Sequence, residues 1–215
     1  MADVYVRQLQ LGQMDNFVYL IGAPGAPEVA VVDPAWDVGE IERAAAADGK
    51  TIACAFATHG HPDHINALPE LLRRHDVPVY FQRDELAFSP DLKLLGDVVR
   101  AVAHGEVVRV GPLEVRALLT PGHTPGSQCL SCGDAVLTGD TVFVNACGRC
   151  DLRGGDPAAL FRSITQVLMK LPDSTQLFPG HHYGDVPISS IGREKRHNPY
   201  FRQPDLEAFL AYRGG

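Results

Sequence analysis

The stretch Thr58-His59-Gly60-His61-Pro62-Asp63-His64 places three histidines and one aspartate directly after the apolar segment 51–57. Imidazole nitrogens and carboxylate oxygens bind divalent ions such as Zn²⁺, Fe²⁺ and Mn²⁺. Pro62 has no backbone N–H, and Gly60 adopts conformations that other residues avoid, so the stretch is predicted to be a loop that follows a strand. Two divalent ions could share such a cluster. In the alternative, Asp63 merely caps the next helix, which leaves the three histidines unexplained.

Length and composition are those of an ordinary globular protein. The 215 residues suffice for one substantial domain, and 45% of them are apolar and 21% charged. No apolar run approaches the roughly 20 residues that a membrane span needs. The start Met1-Ala2-Asp3-Val4 lacks the basic and then apolar character of a secretory signal, and the five cysteines show no obvious disulfide pattern. We therefore expect a cytoplasmic protein with no membrane partner.

The net charge of −7 argues against broad electrostatic binding of nucleic acid or anionic lipid. Cations are nevertheless concentrated in one segment, 193–202, which contains a single acid, Glu194. This segment could bind an anion or could simply be the solvated basic end of a helix. No feature of the sequence specifies an oligomeric state.

The order of predicted elements indicates two halves, each rich in strands and each followed by helices. Such an order predicts an α/β (α+β) fold in which two mixed sheets pack face to face between outer helices, a four-layer αββα sandwich. We expect a catalytic domain over 1–186 and a short, mostly helical tail over 187–215 packed on the same domain. Strands are predicted at 4–9, 17–21, 29–33, 51–57, 77–81, 107–110, 113–119, 128–131, 135–138 and 175–178, and helices at 38–48, 64–75, in part of 84–99, and at 156–171.

Three more candidate ligands stand at turns that follow predicted strands. His123, Asp140 and His181 each come directly after a glycine, which lets the backbone turn sharply where the strand ends. Each one alone could be an exposed turn residue or a helix cap. Together with the first loop they predict a metal centre of seven residues: His59, His61, Asp63, His64, His123, Asp140 and His181.

This series resembles the ligand series of the metallo-β-lactamase superfamily, over nearly the whole chain. The resemblance implies two divalent ions, of which Zn²⁺ is expected and Fe²⁺ or Mn²⁺ are alternatives. It also implies that Asp63 and Asp140 are the catalytic carboxylates that orient the nucleophile. Aspartate at position 140 differs from the cysteine that is common in true β-lactamases, so antibiotic hydrolysis is not predicted. The implied ligand sets are His59, His61 and His123 for one ion and Asp63, His64 and His181 for the other, with Asp140 bridging them.

Within the superfamily the chain is similar to hydroxyacylglutathione hydrolases, the glyoxalase II enzymes, and to persulfide dioxygenases. The stretches 137–143 and 146–149 resemble both groups, and 187–191 with 198–202 resembles the glyoxalase II ending. Tyr183 matches a glyoxalase II tyrosine that contacts glutathione. Two features depart from glyoxalase II: the long helical insertion before its ending is missing, and Asp151 is more similar to the dioxygenases.

The resulting expectation is a metal-dependent thioester hydrolase. A water bridging two cations loses its proton near neutral pH and can attack a carbonyl, since zinc lowers the pKa of water from 15.7 to about 7. The substrate would be a small-molecule or carrier-bound thioester whose thiol portion is glutathione, coenzyme A or a carrier protein. Its carboxylates or phosphates would bind cations. The predicted substrate-binding residues are Arg149, Tyr183, Arg193, Lys195 and Arg196.

Other functions fit parts of the sequence. A persulfide dioxygenase would hold one Fe²⁺ with His59, His123 and Asp140, and a lactone hydrolase would use the same dinuclear centre. Two CxxC pairs, 129–132 and 147–150, have zinc-ribbon spacing and suggest a non-enzymatic structural metal. Asp140 lies between these pairs, however, and 128–131 is already predicted as a strand. Ordinary strand and loop cysteines are therefore the favoured interpretation.

Overall fold

Two six-stranded mixed sheets form the frame of the molecule, seen in a computed structural model that describes residues 4–214. Residues 1–3 of the predicted domain and Gly215 of the predicted tail lie outside the described residues. In the first sheet the strands follow in chain order; β1 to β3 are antiparallel and β3 to β6 are parallel. Its strands are β1 (Tyr5–Leu11), β2 (Asn16–Gly22), β3 (Glu28–Val32), β4 (Thr51–Phe56), β5 (Val79–Gln82) and β6 (Val99–Val102).

The second sheet has the order β14-β13-β10-β9-β8-β7 and contains one parallel pair, β10 with β13. A short hairpin, β11 with β12, projects beside it. Its strands, with that hairpin, are β7 (Val107–Val110), β8 (Leu113–Leu119), β9 (Gln128–Cys132), β10 (Ala135–Gly139), β11 (Val142–Phe143), β12 (Ala146–Cys147), β13 (Gln176–Pro179) and β14 (Ser189–Ser190).

Helices cover the outer faces of both sheets. The helices α1 to α4 lie on the first sheet and α5 to α7 on the second, as the apolar clusters described below show. Short 3₁₀ segments at 90–95 and 168–170 and a π-helical turn at 163–167 extend the helical regions. The α-helices are α1 (Val38–Ala47), α2 (Pro62–Ile65), α3 (Leu68–Arg74), α4 (Arg83–Phe88), α5 (Pro157–Arg162), α6 (Ile191–His197) and α7 (Leu206–Gly214).

Three apolar clusters separate four layers. Because side chains alternate across a strand, β2 directs Val18 and Leu20 to the helices of the first sheet and Phe17, Tyr19 and Ile21 to the second sheet. A third cluster lies between the second sheet and its own helices. The predicted αββα sandwich of two mixed sheets is confirmed.

Most predicted elements are present, but the helix expected over 64–75 is split into α2 and α3. Pro69 lies in the first turn of α3 and has no N–H to donate to a carbonyl of the preceding turn. At the break, Asn66 turns its side chain outward, where its Oδ1 accepts a hydrogen bond of 2.6 Å from the backbone N–H of Trp36. The loop of candidate ligands, residues 58–64, therefore leads into the short helix α2 and not into one long helix.

The segment 187–214 packs on the second sheet. Its strand β14 pairs with β13, and Ile191, Phe201 and Phe209 are buried in the third cluster. Within residues 4–214, no helix combines the length and apolar character needed to cross a membrane.

Candidate metal centre

The carboxyl ends of the parallel strands β3 and β4 position the first loop. Val32 of β3 is paired with Phe56 of β4. The residues that follow them, Asp33 on one side and Ala57 and Thr58 on the other, therefore leave the sheet side by side. Asp33 accepts hydrogen bonds from the backbone N–H of Thr58 at 2.6 Å and from its Oγ1 at 2.7 Å. This buried carboxylate therefore holds the start of the loop in place.

Three histidine rings converge in the first cluster. His61 Nδ1 lies 3.0 Å from His59 Nε2 and 2.9 Å from His123 Nε2. His59 and His123 are buried, whereas His61 is partly exposed. His123 comes from the loop after β8, so two distant segments supply the three nitrogens.

The second cluster combines Asp63, His64 and His181. The Nε2 atoms of His64 and His181 are 3.1 Å apart, and Asp63 Oδ2 lies 3.5 Å and 3.4 Å from them. Parallel pairing of β10 and β13 brings His181 beside Asp140. A Cβ at Gly180 would lie 2.4 Å from Asp140 Oδ1, so this close approach requires glycine.

Asp140 lies between the two clusters and directs one carboxylate oxygen to each. Its Oδ1 is 3.2 Å from His64 Nε2 and 3.4 Å from His181 Nε2, while its Oδ2 is 3.5 Å from His123 Nε2. The structure thus brings all seven predicted ligands together. The described chain contains three overlapping groups with metal-ligand geometry: His59, His61 and His123; His59, His64 and Asp140; and Asp63, His64 and His181.

The outer nitrogens of four histidines are held by hydrogen bonds that fix the inner nitrogen as the ligand atom. Nδ1 of His123 donates to the carbonyl of Arg149 at 2.8 Å, and Nδ1 of His181 donates to that of Met14 at 2.8 Å. Nδ1 of His64 donates to Asp33 Oδ2 at 2.9 Å. Similarly, His59 Nδ1 contacts Thr58 Oγ1, whose own proton is directed to Asp33. Each Nε2 is then free to bind a metal.

The inner atoms fit divalent cations. Asp140 Oδ1 is buried and accepts no hydrogen bond from residues 4–214, and such an orphaned acceptor is expected at a metal site. Burial lowers the pKa of His59 well below its usual value and that of His61 to about 4, which keeps these rings neutral as ligands must be.

The second cluster has the opposite electrostatics. Burial disfavours the charged form of His64, but the carboxylates of Asp140 and Asp33 outweigh it and raise the His64 pKa well above the usual value. Burial likewise opposes charge on His181, yet Asp140 and Asp63 raise its pKa to about 9. The carboxylates therefore demand positive charge between them, which divalent ions would supply.

The centre opens into a cavity of ≈ 330 Å³. Apolar side chains of Met14, Phe143 and Leu152 form part of its wall, and Tyr183 stacks on His181 with ring centroids 4.6 Å apart. Among the residues that line the cavity, Arg149 is the one lysine or arginine. An organic substrate of small to moderate size could enter and reach both clusters.

Comparison with known proteins agrees with this geometry. The sequence profile of the Metallo-beta-lactamase superfamily matches residues 11–181. The chain belongs to this superfamily.

Relatives of this superfamily member include enzymes. It is 29% identical over 198 residues to a probable polyketide biosynthesis zinc-dependent hydrolase of Bacillus velezensis, covering 92% of the chain and 87% of the relative. It is 38% identical over 171 residues to a hydroxyacylglutathione hydrolase of Bradyrhizobium sp., covering 79% of the chain and 63% of that relative. The crystal structure of ETHE1 from Myxococcus xanthus matches with a TM-score of 0.87 at 34% identity, covering 98% of this chain and 90% of that one.

Two of the five predicted substrate-binding residues of this metallo-β-lactamase superfamily chain line the cavity and three do not. Arg149 and Tyr183 line the cavity. Arg193, Lys195 and Arg196 do not; they lie on α6, where Arg193 pairs with Asp185 at 2.8 Å, Lys195 pairs with Asp173 at 2.6 Å, and Arg196 is exposed. The sequence suggested a common anion patch because the cations are close along the chain, but in the structure Arg193 and Lys195 are each paired with an acidic side chain and none of the three lines the cavity.

The zinc-ribbon alternative does not fit the structure. Cys129 and Cys132 are an odd number of residues apart on β9, so they point to opposite faces and lie in different apolar clusters. Among the described residues, the groups that could hold a metal contain only histidine and aspartate. The cysteines are ordinary strand and loop residues.

Sequence reasoning missed the residues that support the ligands. Asp33 holds His64, Asn16 holds Asp63, and Glu85 holds two ligand loops. Asp33 could have been suspected, because a polar residue directly after an apolar strand often lies at a site. Neither Asn16 nor Glu85 carries a local signal, since each acts on residues more than 20 positions away.

Proposed function

We propose that this chain is a dinuclear metallohydrolase that cleaves thioesters. The first ion would be held by His59, His61 and His123 and the second by Asp63, His64 and His181, with Asp140 shared. The observation that carries the proposal is the position of Asp140, whose two carboxylate oxygens face different histidine clusters. A single structural zinc would have no use for such a shared carboxylate.

The residues around the cavity define what a substrate would meet. Bound cations would supply Lewis acidity and lower the pKa of water towards about 7. Asp63 and Asp140 would orient the nucleophile as ligands, and the hydrogen bonds from Asn16 and to Asp33 hold the ligands in place. The apolar wall of Met14, Phe143 and Leu152 would shield the reacting carbonyl from bulk water.

Arg149 and Tyr183 are the proposed substrate contacts. The Arg149 guanidinium is exposed and forms a bidentate pair with Asp151, with distances of 2.7 and 2.6 Å. It could exchange this partner for a substrate carboxylate or phosphate. The thiol portion would be glutathione, coenzyme A or a carrier protein; similarity to a hydroxyacylglutathione hydrolase and to a polyketide biosynthesis hydrolase supports this range.

A second candidate is a mononuclear iron persulfide dioxygenase that uses His59, His123 and Asp140. The Arg149–Asp151 pair at the cavity and the fold similarity to ETHE1 favour it. The two functions differ in metal content and in consumption of O₂.

The experiment combines elemental analysis of the purified chain with assays on thioesters of glutathione, pantetheine and coenzyme A, and on glutathione persulfide. We expect about two divalent ions per chain and thioester cleavage that is lost with a chelator and restored by Zn²⁺. One iron per chain, with oxygen uptake on the persulfide, would favour the dioxygenase. Full thioester turnover after removal of all metal would contradict the metallohydrolase, and oxidation of the persulfide without iron would contradict the dioxygenase.

A further inference from the structure

Glu85 is a buried carboxylate that accepts hydrogen bonds from two loops of the metal centre. It lies on α4 and is 1% exposed. Its Oε1 accepts a hydrogen bond of 2.8 Å from the backbone N–H of Gly60, and its Oε2 accepts bonds from Thr124 Oγ1 at 2.7 Å and from the backbone N–H of Gly126 at 3.1 Å. Three donors around one carboxylate satisfy it without water.

These partners lie next to every ligand of the first cluster. Gly60 separates His59 from His61, and Thr124 directly follows His123. The two loops come from different sheets, since one follows β4 and the other follows β8. Glu85 therefore links the loop that carries His59 and His61 to the loop that carries His123.

The link fits tightly. A Cβ at Gly126 would lie 2.0 Å from the backbone nitrogen of Glu85, so the helix backbone is in contact with the loop. Ser127 Oγ lies 2.8 Å from Thr124 Oγ1 and extends the network away from the carboxylate. The Glu85 carboxylate is thus enclosed by residues of both loops.

Glu85 forms its hydrogen bonds to residues that neighbour the ligands of the first cluster, namely Gly60, Thr124 and Gly126. Ligands of the second cluster are oriented by other groups: Asn16 for Asp63, Asp33 for His64 and the Met14 carbonyl for His181. The hydrogen bonds of Glu85 within the described chain include none to these groups.

We propose that Glu85 is a positioning residue that sets the metal affinity of the first cluster independently of the second. The inference rests on the proposed metal centre but not on the thioester chemistry. An amide at this position would present N–H groups to at least one donor, either the Gly60 N–H or the pair at Thr124 and Gly126. That mismatch would displace the loop of His59 and His61 relative to the loop of His123.

The test compares Glu85→Gln with Glu194→Gln by Zn²⁺ titration against a chromophoric chelator. Glu194 is an equally buried glutamate that accepts hydrogen bonds from the Asn145 backbone N–H and from Asn198, away from both ligand loops. In Glu85→Gln we expect one ion to bind about 10- to 100-fold more weakly, the range found for partners that orient ligands, and the other within about twofold of wild type. Glu194→Gln should keep both affinities.

A milder pair keeps the test informative should Glu85→Gln not fold. Thr124→Val removes the hydroxyl that donates to Glu85, whereas Thr124→Ser retains it. We expect the valine variant to weaken one ion selectively and the serine variant to restore wild-type binding. Unchanged binding of both ions, or equal weakening of both, in Glu85→Gln and Thr124→Val would overturn the inference.

The wild-type titration separates this inference from the proposed function. Two bound ions with no thioester cleavage would refute the function and leave the role of Glu85 open to the variant comparison in the same experiment. A wild type that binds one ion would refute the dinuclear centre, and Glu85→Gln must then weaken that ion. A wild type that binds none would refute both.

Discussion

The side-chain amide of Asn16 donates a hydrogen bond of 3.0 Å to Oδ2 of Asp63 and a second one of 3.1 Å to its backbone carbonyl. The Asn16 carbonyl oxygen in turn accepts a bond of 2.9 Å from the indole Nε1 of Trp36. This chain of contacts fixes the amide orientation and, through it, the carboxylate of a proposed metal ligand. The start of β2 thus reaches across to the metal loop.

Asn16→Ala should weaken the second metal site. Loss of the amide leaves Asp63 free to rotate, and we expect affinity for one ion to fall by about 10- to 100-fold. Trp36→Phe removes only the indole donor and should have a smaller effect. Competition with a chelator measures the metal affinities of both variants. If Asn16→Ala bound both ions as tightly as the wild type does, the role given to this amide would be contradicted.

Asp33→Asn should damage the same site through His64. The asparagine NH₂ would face His64 Nδ1, which favours the tautomer with its proton on Nε2 and blocks the ligand atom. We expect metal affinity to fall by about 10- to 100-fold, with a loss of stability of about 1–3 kcal/mol because Thr58 also loses an acceptor. Metal titration and urea denaturation check the two effects separately. Wild-type affinity with lowered stability would show that Asp33 matters to the fold alone.

Arg149→Ala should raise KM for thioesters that carry a carboxylate or phosphate, with kcat nearly unchanged. Because a charge-assisted hydrogen bond to the substrate would be lost, the rise in KM should be roughly tenfold. Arg109→Ala is the matched control, because Arg109 also forms an exposed pair, with Glu114, far from the cavity on β7. Steady-state kinetics on charged and uncharged thioesters would reveal the difference. An equal effect of both substitutions would rule out the proposed contact.

The cysteines should react slowly with iodoacetamide at pH 8. Burial raises the pKa of Cys147 to about 12 and that of Cys150 to about 11, although Arg213 opposes both shifts. The thiolate is the reactive form, so its fraction is small at pH 8 and grows as the pH approaches these values. Allowing for the higher nucleophilicity of a more basic thiolate, labelling should be roughly tenfold or more slower than in urea. Mass spectrometry that found rapid labelling of the native chain at pH 8 would contradict this expectation.

Phe209→Ala should destabilise the whole chain. Phe209 is the buried residue of α7 and packs against Phe161 and Tyr200, with ring centroids 5.3 and 5.8 Å away. Removing a buried phenylalanine ring costs about 3–5 kcal/mol. Leu210→Ala, at a side chain that is 40% exposed on the same helix, should cost about 0.5 kcal/mol or less. Urea denaturation should show one transition in both variants; a separate early transition would mean that the tail folds apart from the predicted domain.

Local sequence patterns predicted much of the fold. Short β-branched and aromatic segments bounded by glycine and proline turns identified the strands, and the glycines before His123, Asp140 and His181 marked turns at strand ends. The split between α2 and α3 was missed because the apolar spacing continues through Pro69 while the hydrogen bonding does not. The spacing of apolar residues indicates which side chains are buried, but it does not show that Pro69 lacks the N–H that a continuous helix would need.

The chemistry of the centre follows from the amino-acid sequence, because the identities of its imidazoles and carboxylates specify which ions and reactions they suit. The distances and pairing of these groups depend on the tertiary structure, which places Asp140 between two clusters and leaves Arg193, Lys195 and Arg196 out of the cavity lining. The roles of Asn16 and Glu85 also depend on the tertiary structure. Their partners are far along the chain, and only the register of two packed sheets brings such residues to within hydrogen-bonding distance.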